Sequence, residues 1–194
     1  SAERLKAARH RLAFDEIFLL QLGVLRQKRN WQERLGRVFT TPDDWLASQI
    51  ENLPFPLTNA QMRSIQDICS DLGSGKPMNR LLQGDVGSGK TAVALIAAAV
   101  AVQNGYQVAV MAPTEILAEQ HYRTFQRGLA PLGVEVAYIT GSGSAKVKAA
   151  QRAAVASGKV RVAVGTHALI QESVAFEKLG LVVIDEQHRF GVIQ

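Results

Sequence analysis

The sequence contains one cysteine, Cys69, among 194 residues. A single thiol cannot form an internal disulfide, which excludes a disulfide-stabilised secreted scaffold and is typical of a reducing cytoplasm. No apolar run approaches the ~20 residues that a membrane-spanning helix needs, and the N-terminus carries no signal-peptide core. We therefore expect a cytoplasmic protein with no membrane partner.

Histidine is also scarce, with four residues at positions 10, 121, 167 and 188. They are scattered along the chain and have no partners at metal-ligand spacing, so the sequence predicts no structural zinc site. Hydrophobic residues make up 47% of the chain and charged residues 20%. These fractions are ordinary for a globular protein that folds around its own core.

Acidic residues are few in two parts of the chain, which leaves two basic zones within a net charge of +5. Residues 1–40 carry nine Lys and Arg against four Asp and Glu, and residues 123–161 carry seven against one. The remaining positions have six basic and twelve acidic residues. Such asymmetry indicates a polyanionic partner, most simply nucleic acid, although two solvated basic faces would give the same pattern.

A glycine-rich stretch at 84–91, GDVGSGKT, matches the pattern G-x-x-x-x-G-K-[ST] at every fixed position. Backbone N–H groups can wrap a phosphate only where no Cβ blocks the approach, which explains Gly87 and Gly89. Lys90 can reach the β- and γ-phosphates, and the Thr91 hydroxyl can bind Mg²⁺. The nucleotide-binding candidates in this loop are Gly84, Asp85, Val86, Gly87, Ser88, Gly89, Lys90 and Thr91.

Short apolar runs alternate with helical patterns through the second half of the chain. Strands are predicted at 80–83, 107–112, 134–140, 160–165 and 181–184, and helices at 91–103, 115–130, 145–157 and 168–172. This alternation predicts an α/β fold, a mostly parallel sheet with helices on both faces and ligands at the carboxyl ends of the strands. Residues 1–30 read as one long helix, and prolines at 54 and 56 separate an N-terminal helical segment, 1–53, from the main domain, 54–194.

Two acids, Asp185 and Glu186, follow the predicted strand at 181–184. A carboxylate at this point can hold the Mg²⁺ that also contacts Thr91. Its neighbour can polarise a water molecule for attack on the γ-phosphate. Lys90, Asp185 and Glu186 are therefore candidate catalytic residues for nucleotide hydrolysis, and no arginine finger is evident in the chain.

Four stretches resemble the motifs of superfamily 2 helicases: 84–91 resembles motif I, 112–121 (APTEILAEQH) motif Ia, 165–170 (GTHALI) motif Ib and 185–192 (DEQHRFGV) motif II. The last stretch, with LQGDVGSGKT, LAFDEIFLLQL and LPFPLTNAQ, is most similar to bacterial replication-fork helicases. Motors for transcription-coupled repair and primosome restart share parts of the pattern. The resemblance implies a RecA-like P-loop NTPase lobe that uses ATP and Mg²⁺ and acts on branched DNA in repair and recombination.

The resemblance also implies roles for single residues. Thr58 and Gln61 match the Q motif, in which Gln61 would read the adenine edge. Either Phe55 or Trp45 would stack on the base. His188 would be a further catalytic residue that couples the state of the γ-phosphate to DNA and to a second lobe. The contacts to a DNA strand would come from Pro113, Thr114, Glu115, Gly141, Ser142, Thr166 and His167.

Two parts of such a helicase have no counterpart in the sequence: a second RecA-like lobe and an oligonucleotide-binding wedge domain. We therefore expect a first lobe, truncated after motif II, that binds nucleotide and hydrolyses ATP poorly on its own. Two other classes remain open, a P-loop kinase or nucleotide switch and a non-catalytic scaffold that uses the loop as an anion site. Adjacent Asp185 and Glu186 favour attack by water over the former, and only an assay excludes the latter.

Overall fold

A computed structural model of the chain describes residues 2–170 and 174–187. Four parallel strands form one sheet in the order β2-β3-β1-β4: β1 (Gln107–Met111), β2 (Val136–Ile139), β3 (Val162–Gly165) and β4 (Leu179–Ile184). The helices are α1 (Ala2–Gln32), α2 (Asp43–Glu51), α3 (Asn59–Gly73), α4 (Lys90–Gln103), α5 (Glu115–Leu129) and α6 (Ala145–Ala156), with short 3-10 helices at Ala130–Leu132 and His167–Ile170. The predicted α/β fold with a parallel sheet is confirmed.

The central strand β1 pairs with neighbours on both sides and is buried along its whole length. Val108 lies opposite Val162 of β3 and Leu181 of β4. Because successive strand side chains point to opposite faces, Val108 and Val110 enter the larger core cluster and Met111 enters the smaller one. The β-branched residues that predicted these strands thus fill both sides of the sheet.

The larger core lies between the sheet and helices α3, α4 and α5. Helix α4 is buried almost all round, with Ala92, Val93 and every residue from 95 to 101 inside. A helix that is apolar on every side needs such a position, so the prediction of a buried Ala-rich helix here is confirmed. The smaller core, on the opposite face, includes Val155 of α6 and Leu169 of the second 3-10 helix.

The prediction of a strand at 80–83 is wrong, because this segment pairs with no strand in the described part of the chain. Its Leu81 side chain is exposed. The segment is instead held by Arg80, whose Nε donates to Asp71 Oδ2 at 2.7 Å and whose Nη1 donates to Asp67 Oδ2 at 3.2 Å. A segment becomes a strand only where a neighbouring backbone accepts and donates its hydrogen bonds. The β propensity of the residues at 80–83 cannot provide that neighbour.

Helix α1 confirms the predicted long helix, and its side chains remain largely exposed. The chain that follows it is tied to the lobe by Gly36 N, which donates to Gly75 O at 2.8 Å, and by Phe39 N, which donates to Leu72 O at 3.0 Å. Phe39 is buried and its ring stacks on Tyr106. No helix among the described residues has the length and apolar character that a membrane crossing requires.

Candidate nucleotide-binding site

The glycine-rich loop lies at the carboxyl edge of the sheet. Helix α4 follows this loop, packs on β1, and leads through a turn at residues 104–106 into the start of β1. The helix therefore runs antiparallel to β1, and its first residue, Lys90, lies at the level where the strand ends. Gly87 and Gly89 have φ angles of 81° and 77°, in the left-handed region that glycine adopts without strain.

Lys90 bridges two backbone carbonyls at the start of the loop. Its Nζ donates to Gly84 O at 2.8 Å and to Asp85 O at 2.9 Å, while Ser88 N donates to Asp85 O at 3.1 Å. The ammonium group thus points into the concavity of the loop. The N-terminus of α4 adds its partial positive charge at the same place, which favours an anion there.

Gln61 contacts this loop, and Thr58 is its partner at the start of α3. They form a capping box at the start of α3: Gln61 N donates to Thr58 Oγ1 at 3.3 Å and Thr58 N donates to Gln61 Oε1 at 2.7 Å. The remaining group, Gln61 Nε2, donates to Ser88 O of the loop at 2.9 Å. A Cβ at Gly89 would overlap Gln61 Nε2, so the close approach depends on glycine.

The two aromatic candidates for base stacking occupy different environments. Trp45 of α2 is partly buried and packs against the larger core. Phe55 is 47% exposed and lines an open groove with Leu53, Leu57 and Met62, next to the start of α3. A base could therefore stack on the Phe55 ring as it stands, whereas the Trp45 ring would first have to leave the core.

The acidic pair follows β4 at the same edge of the sheet. Asp185 N donates to Met111 O at 2.8 Å, which extends the pairing of β1 and β4 by one residue. Glu186 has a φ of 52° and is the one non-glycine residue with positive φ in the described part of the chain. Strained backbone of this kind concentrates at functional sites. His188, the other predicted catalytic residue, lies outside the described residues.

The candidate DNA contacts fall on three loops at this edge, and two of these loops touch. Glu115 Oε2 accepts from Ser142 Oγ at 2.9 Å and Glu115 Oε1 accepts from Ser142 N at 3.2 Å. Thr114 caps α5, its Oγ1 accepting from Leu117 N at 3.3 Å. Thr166 is buried and His167 is exposed. Pro113 immediately precedes Thr114, and Gly141 immediately precedes Ser142.

Tyr138 supports the contact between these two loops. Its hydroxyl donates to Glu115 O at 3.0 Å. Burial, together with the negative charges of Glu115 and Glu119, raises the pKa of Tyr138. The phenol therefore remains a donor well above neutral pH and holds the start of α5 near β2.

One residue of the site was missed by sequence reasoning, which found no partner for any histidine. His121 of α5 places Nε2 2.7 Å from Asp185 Oδ2. The two residues meet because β1 and β4 are neighbouring strands: α5 follows β1, and Asp185 follows β4. Strand order is a property of the folded sheet, so the pair could not be found from spacing along the chain.

A parallel sheet with a phosphate loop and an acidic pair at its carboxyl edge defines the class of P-loop nucleotide-binding domains. A model of the DEAD/DEAH box helicase family matches residues 58–193. The chain belongs to this family.

Two curated relatives are named ATP-dependent DNA helicases. The chain is 51% identical over 184 residues to the ATP-dependent DNA helicase RecG of Aquifex aeolicus, covering 95% of this chain and 23% of that protein. It is 46% identical over 187 residues to RecG of Escherichia coli K12, covering 96% of this chain and 27% of that protein. The chain therefore spans about a quarter of the length of the curated relatives it matches.

Two solved structures resemble the chain. The structure of RecG bound to a three-way DNA junction matches with a TM-score of 0.85 and 45% identity, over 98% of this chain and 26% of that one. A hypothetical ATP-dependent RNA helicase from Sulfolobus tokodaii matches with a TM-score of 0.57 and 20% identity, over 76% of this chain and 42% of that one. The second likeness shows the fold, and the predicted RecA-like helicase lobe is confirmed.

Proposed function

We propose that this chain is the ATP-binding motor lobe of a helicase that remodels branched DNA in repair and recombination. The observation that carries the proposal is the contact of Gln61 with the phosphate loop, which joins a candidate adenine reader to a candidate phosphate site. The similarity to RecG, one member of which was solved on a three-way DNA junction, supports branched DNA as the substrate. We divide the chain into a helical linker segment, 1–53, and the lobe proper, 54–194.

The phosphates of ATP would replace the two carbonyl partners of Lys90. Lys90 Nζ now binds the carbonyls of Gly84 and Asp85. A phosphate chain in the loop would offer charged acceptors to the same ammonium group and to the backbone N–H groups of residues 87–91. Charge-assisted hydrogen bonds are stronger than neutral ones, so the exchange favours the bound nucleotide.

Recognition of adenine would use Gln61, with Phe55 stacked on the base. Both ends of the Gln61 amide are hydrogen-bonded: Oε1 accepts from Thr58 N, and Nε2 donates to Ser88 O. Reading the base edge would require Nε2 to leave Ser88, so base recognition and loop conformation would be coupled. Phe55 is favoured over Trp45 as the stacking residue, because the Phe55 ring is exposed and the Trp45 ring packs against the larger core.

The donor set fits a magnesium ion carried by the nucleotide. Mg²⁺ prefers oxygen ligands and usually takes one or two from the protein, with phosphate oxygens and waters completing the shell. Thr91 and Asp185 offer a hydroxyl and a carboxylate, and the described residues hold no cluster of three or more His, Cys, Asp or Glu that would form an all-protein site. When bound, the ion would neutralise charge on the phosphates, while Glu186 orients the attacking water.

DNA would contact the loops at the same edge through its phosphates. Glu115 cannot attract a phosphate directly, and its two hydrogen bonds to Ser142 favour a role in shaping the loop at 141–142. The exposed His167 is the side chain best placed to meet a strand. Replacement of His167 by Ala should weaken binding of a labelled three-way junction, measured by anisotropy at several salt concentrations. Unchanged binding relative to a His10→Ala control would contradict this contact.

Calorimetric titration with Mg-ADP and Mg-GDP tests the nucleotide site. We expect the wild-type chain to prefer ADP, and Lys90→Ala to weaken ADP binding by about 10- to 100-fold, the equivalent of one charge-assisted hydrogen bond. Gln61→Ala should bind both nucleotides with similar affinity. Lys76→Ala, which removes an exposed lysine outside the loop, is the matched control. Equal binding of ADP and GDP by the wild type would overturn the proposed adenine site.

A further inference from the structure

We propose that His121 is a positioning residue that orients the Asp185 carboxylate for the nucleotide-bound metal ion. The proposal rests on the proposed function, since it takes Asp185 as a metal ligand. It gives a role to His121, the last residue of the stretch that resembles motif Ia, to which the sequence assigned none. The observation behind it is the 2.7 Å separation of His121 Nε2 and Asp185 Oδ2.

The geometry of the pair defines its chemistry. An ionised carboxylate only accepts hydrogen bonds, so the contact requires a proton on His121 Nε2, which donates to Oδ2. Within residues 2–170 and 174–187, Asp185 Oδ1 has no hydrogen-bond partner. The histidine thus fixes one carboxylate oxygen and leaves the other for a ligand.

The packing of α5 holds the imidazole in place. His121 is flanked on the helix by Ala118 and Phe125, at i−3 and i+4, and both are fully buried. Residues at these spacings share one face of a helix, so the ring leaves α5 on its packed side. Its side chain is only 15% exposed, against 32% for Asp185. A ring confined in this way restricts the rotation of the carboxylate that it binds.

Such a contact has a known physical effect at metal sites. Hydrogen bonds from outer residues orient the ligands that touch the metal, and losing one typically lowers metal affinity or activity by about 10- to 100-fold. The contact also connects the metal ligand to α5, whose first residues are candidate DNA contacts. A shift of α5 on DNA binding would therefore be transmitted to the Asp185 carboxylate.

The test measures binding of Mn²⁺, a spectroscopic substitute for Mg²⁺, to the ADP complex by electron paramagnetic resonance of the free ion. His121→Ala should raise the Kd for Mn²⁺ by about tenfold or more and leave metal-free ADP binding within about twofold. In His121→Gln the amide Nε2 can replace the imidazole donor, so this variant should recover most of the metal affinity. His10→Ala, on the exposed surface of α1, is the control.

The outcomes separate the two proposals. Unchanged or tighter Mn²⁺ binding in His121→Ala would overturn the positioning role alone, as would a failure of His121→Gln to recover affinity while it keeps the wild-type Tm. If His121→Ala fails to fold, His121→Leu, which fills the space without an N–H donor, takes its place, and equal Mn²⁺ affinity of His121→Leu and His121→Gln would overturn the role. A wild-type chain that binds no Mn-ADP at all would overturn the proposed function and the positioning role together.

Discussion

At the scale of single residues, Gln107 is a polar side chain that belongs entirely to the core. It is fully buried at the start of β1, where Nε2 donates to Val155 O at 2.7 Å and to Val160 O at 2.8 Å, and Oε1 accepts from Lys178 N at 2.9 Å. Three segments of the chain thus meet on one amide. Every hydrogen-bonding partner of the amide is a backbone group.

We expect Gln107→Leu to lower the free energy of unfolding by about 3 kcal/mol, since an unsatisfied buried polar group costs roughly 1–3 kcal/mol. Urea unfolding followed by circular dichroism measures the change. Gln103→Leu, at an exposed position near the end of α4, should stay within about 0.5 kcal/mol of the wild type. If the two variants have equal free energies of unfolding, the Gln107 amide contributes nothing to stability.

Cys69 provides a second residue-scale prediction. Burial raises the pKa of its thiol, so at a given pH the folded protein holds less of the reactive thiolate than an unfolded chain does. We expect slow reaction with a disulfide reagent at pH 8 and fast reaction after unfolding in urea. The rate in the folded state should keep rising at pH values where a free cysteine has levelled off. Equal rates in both states would contradict this.

At the scale of elements, the phosphate loop and α3 are joined through Gly89. Its φ of 77° strains any larger residue, and a Cβ at this position would displace Gln61 Nε2 from Ser88 O. We expect Gly89→Ala to destabilise the protein and to abolish ADP binding, measured by thermal denaturation and calorimetry. Gly105→Ala is the matched control, because Gly105 has a φ of 75° and open space around its Cβ position. If both variants lose the same stability, the contact with Gln61 has no cost beyond backbone strain.

Local elements and the parallel α/β architecture were largely predictable, whereas the order of the strands in the sheet was not. The sequence predicted α4, α5, α6 and the four strands of the sheet, because apolar periodicity and capping residues act over a few neighbouring positions. The prediction of a strand at 80–83 is wrong, and the contact of His121 with Asp185 was missed, for the same reason. Both depend on which strands are neighbours in space, and the order β2-β3-β1-β4 is set by the packing of the whole chain.

At the scale of the whole molecule, α1 stands apart from the cores. Eleven of its large apolar side chains are exposed: Leu5, Leu12, Phe14, Ile17, Phe18, Leu19, Leu20, Leu22, Val24, Leu25 and Trp31. We expect removal of residues 1–33 to change Tm by less than about 4 °C, the shift that roughly 1 kcal/mol produces in a chain of this size. Binding of a hydrophobic dye should fall in the truncated protein. A larger loss of Tm would show that α1 stabilises the lobe.

The length of α1 has a mechanical consequence. Its 31 residues form a rod about 46 Å long at the usual rise per residue, and the segment at 36–40 fastens the end of this rod to the lobe. A tilt of about 5° at the fastened end would move Ala2 by about 4 Å, the sine of the angle multiplied by the rod length. The helix is therefore a lever arm, which converts a small rotation of the lobe into a displacement as large as an amino-acid side chain.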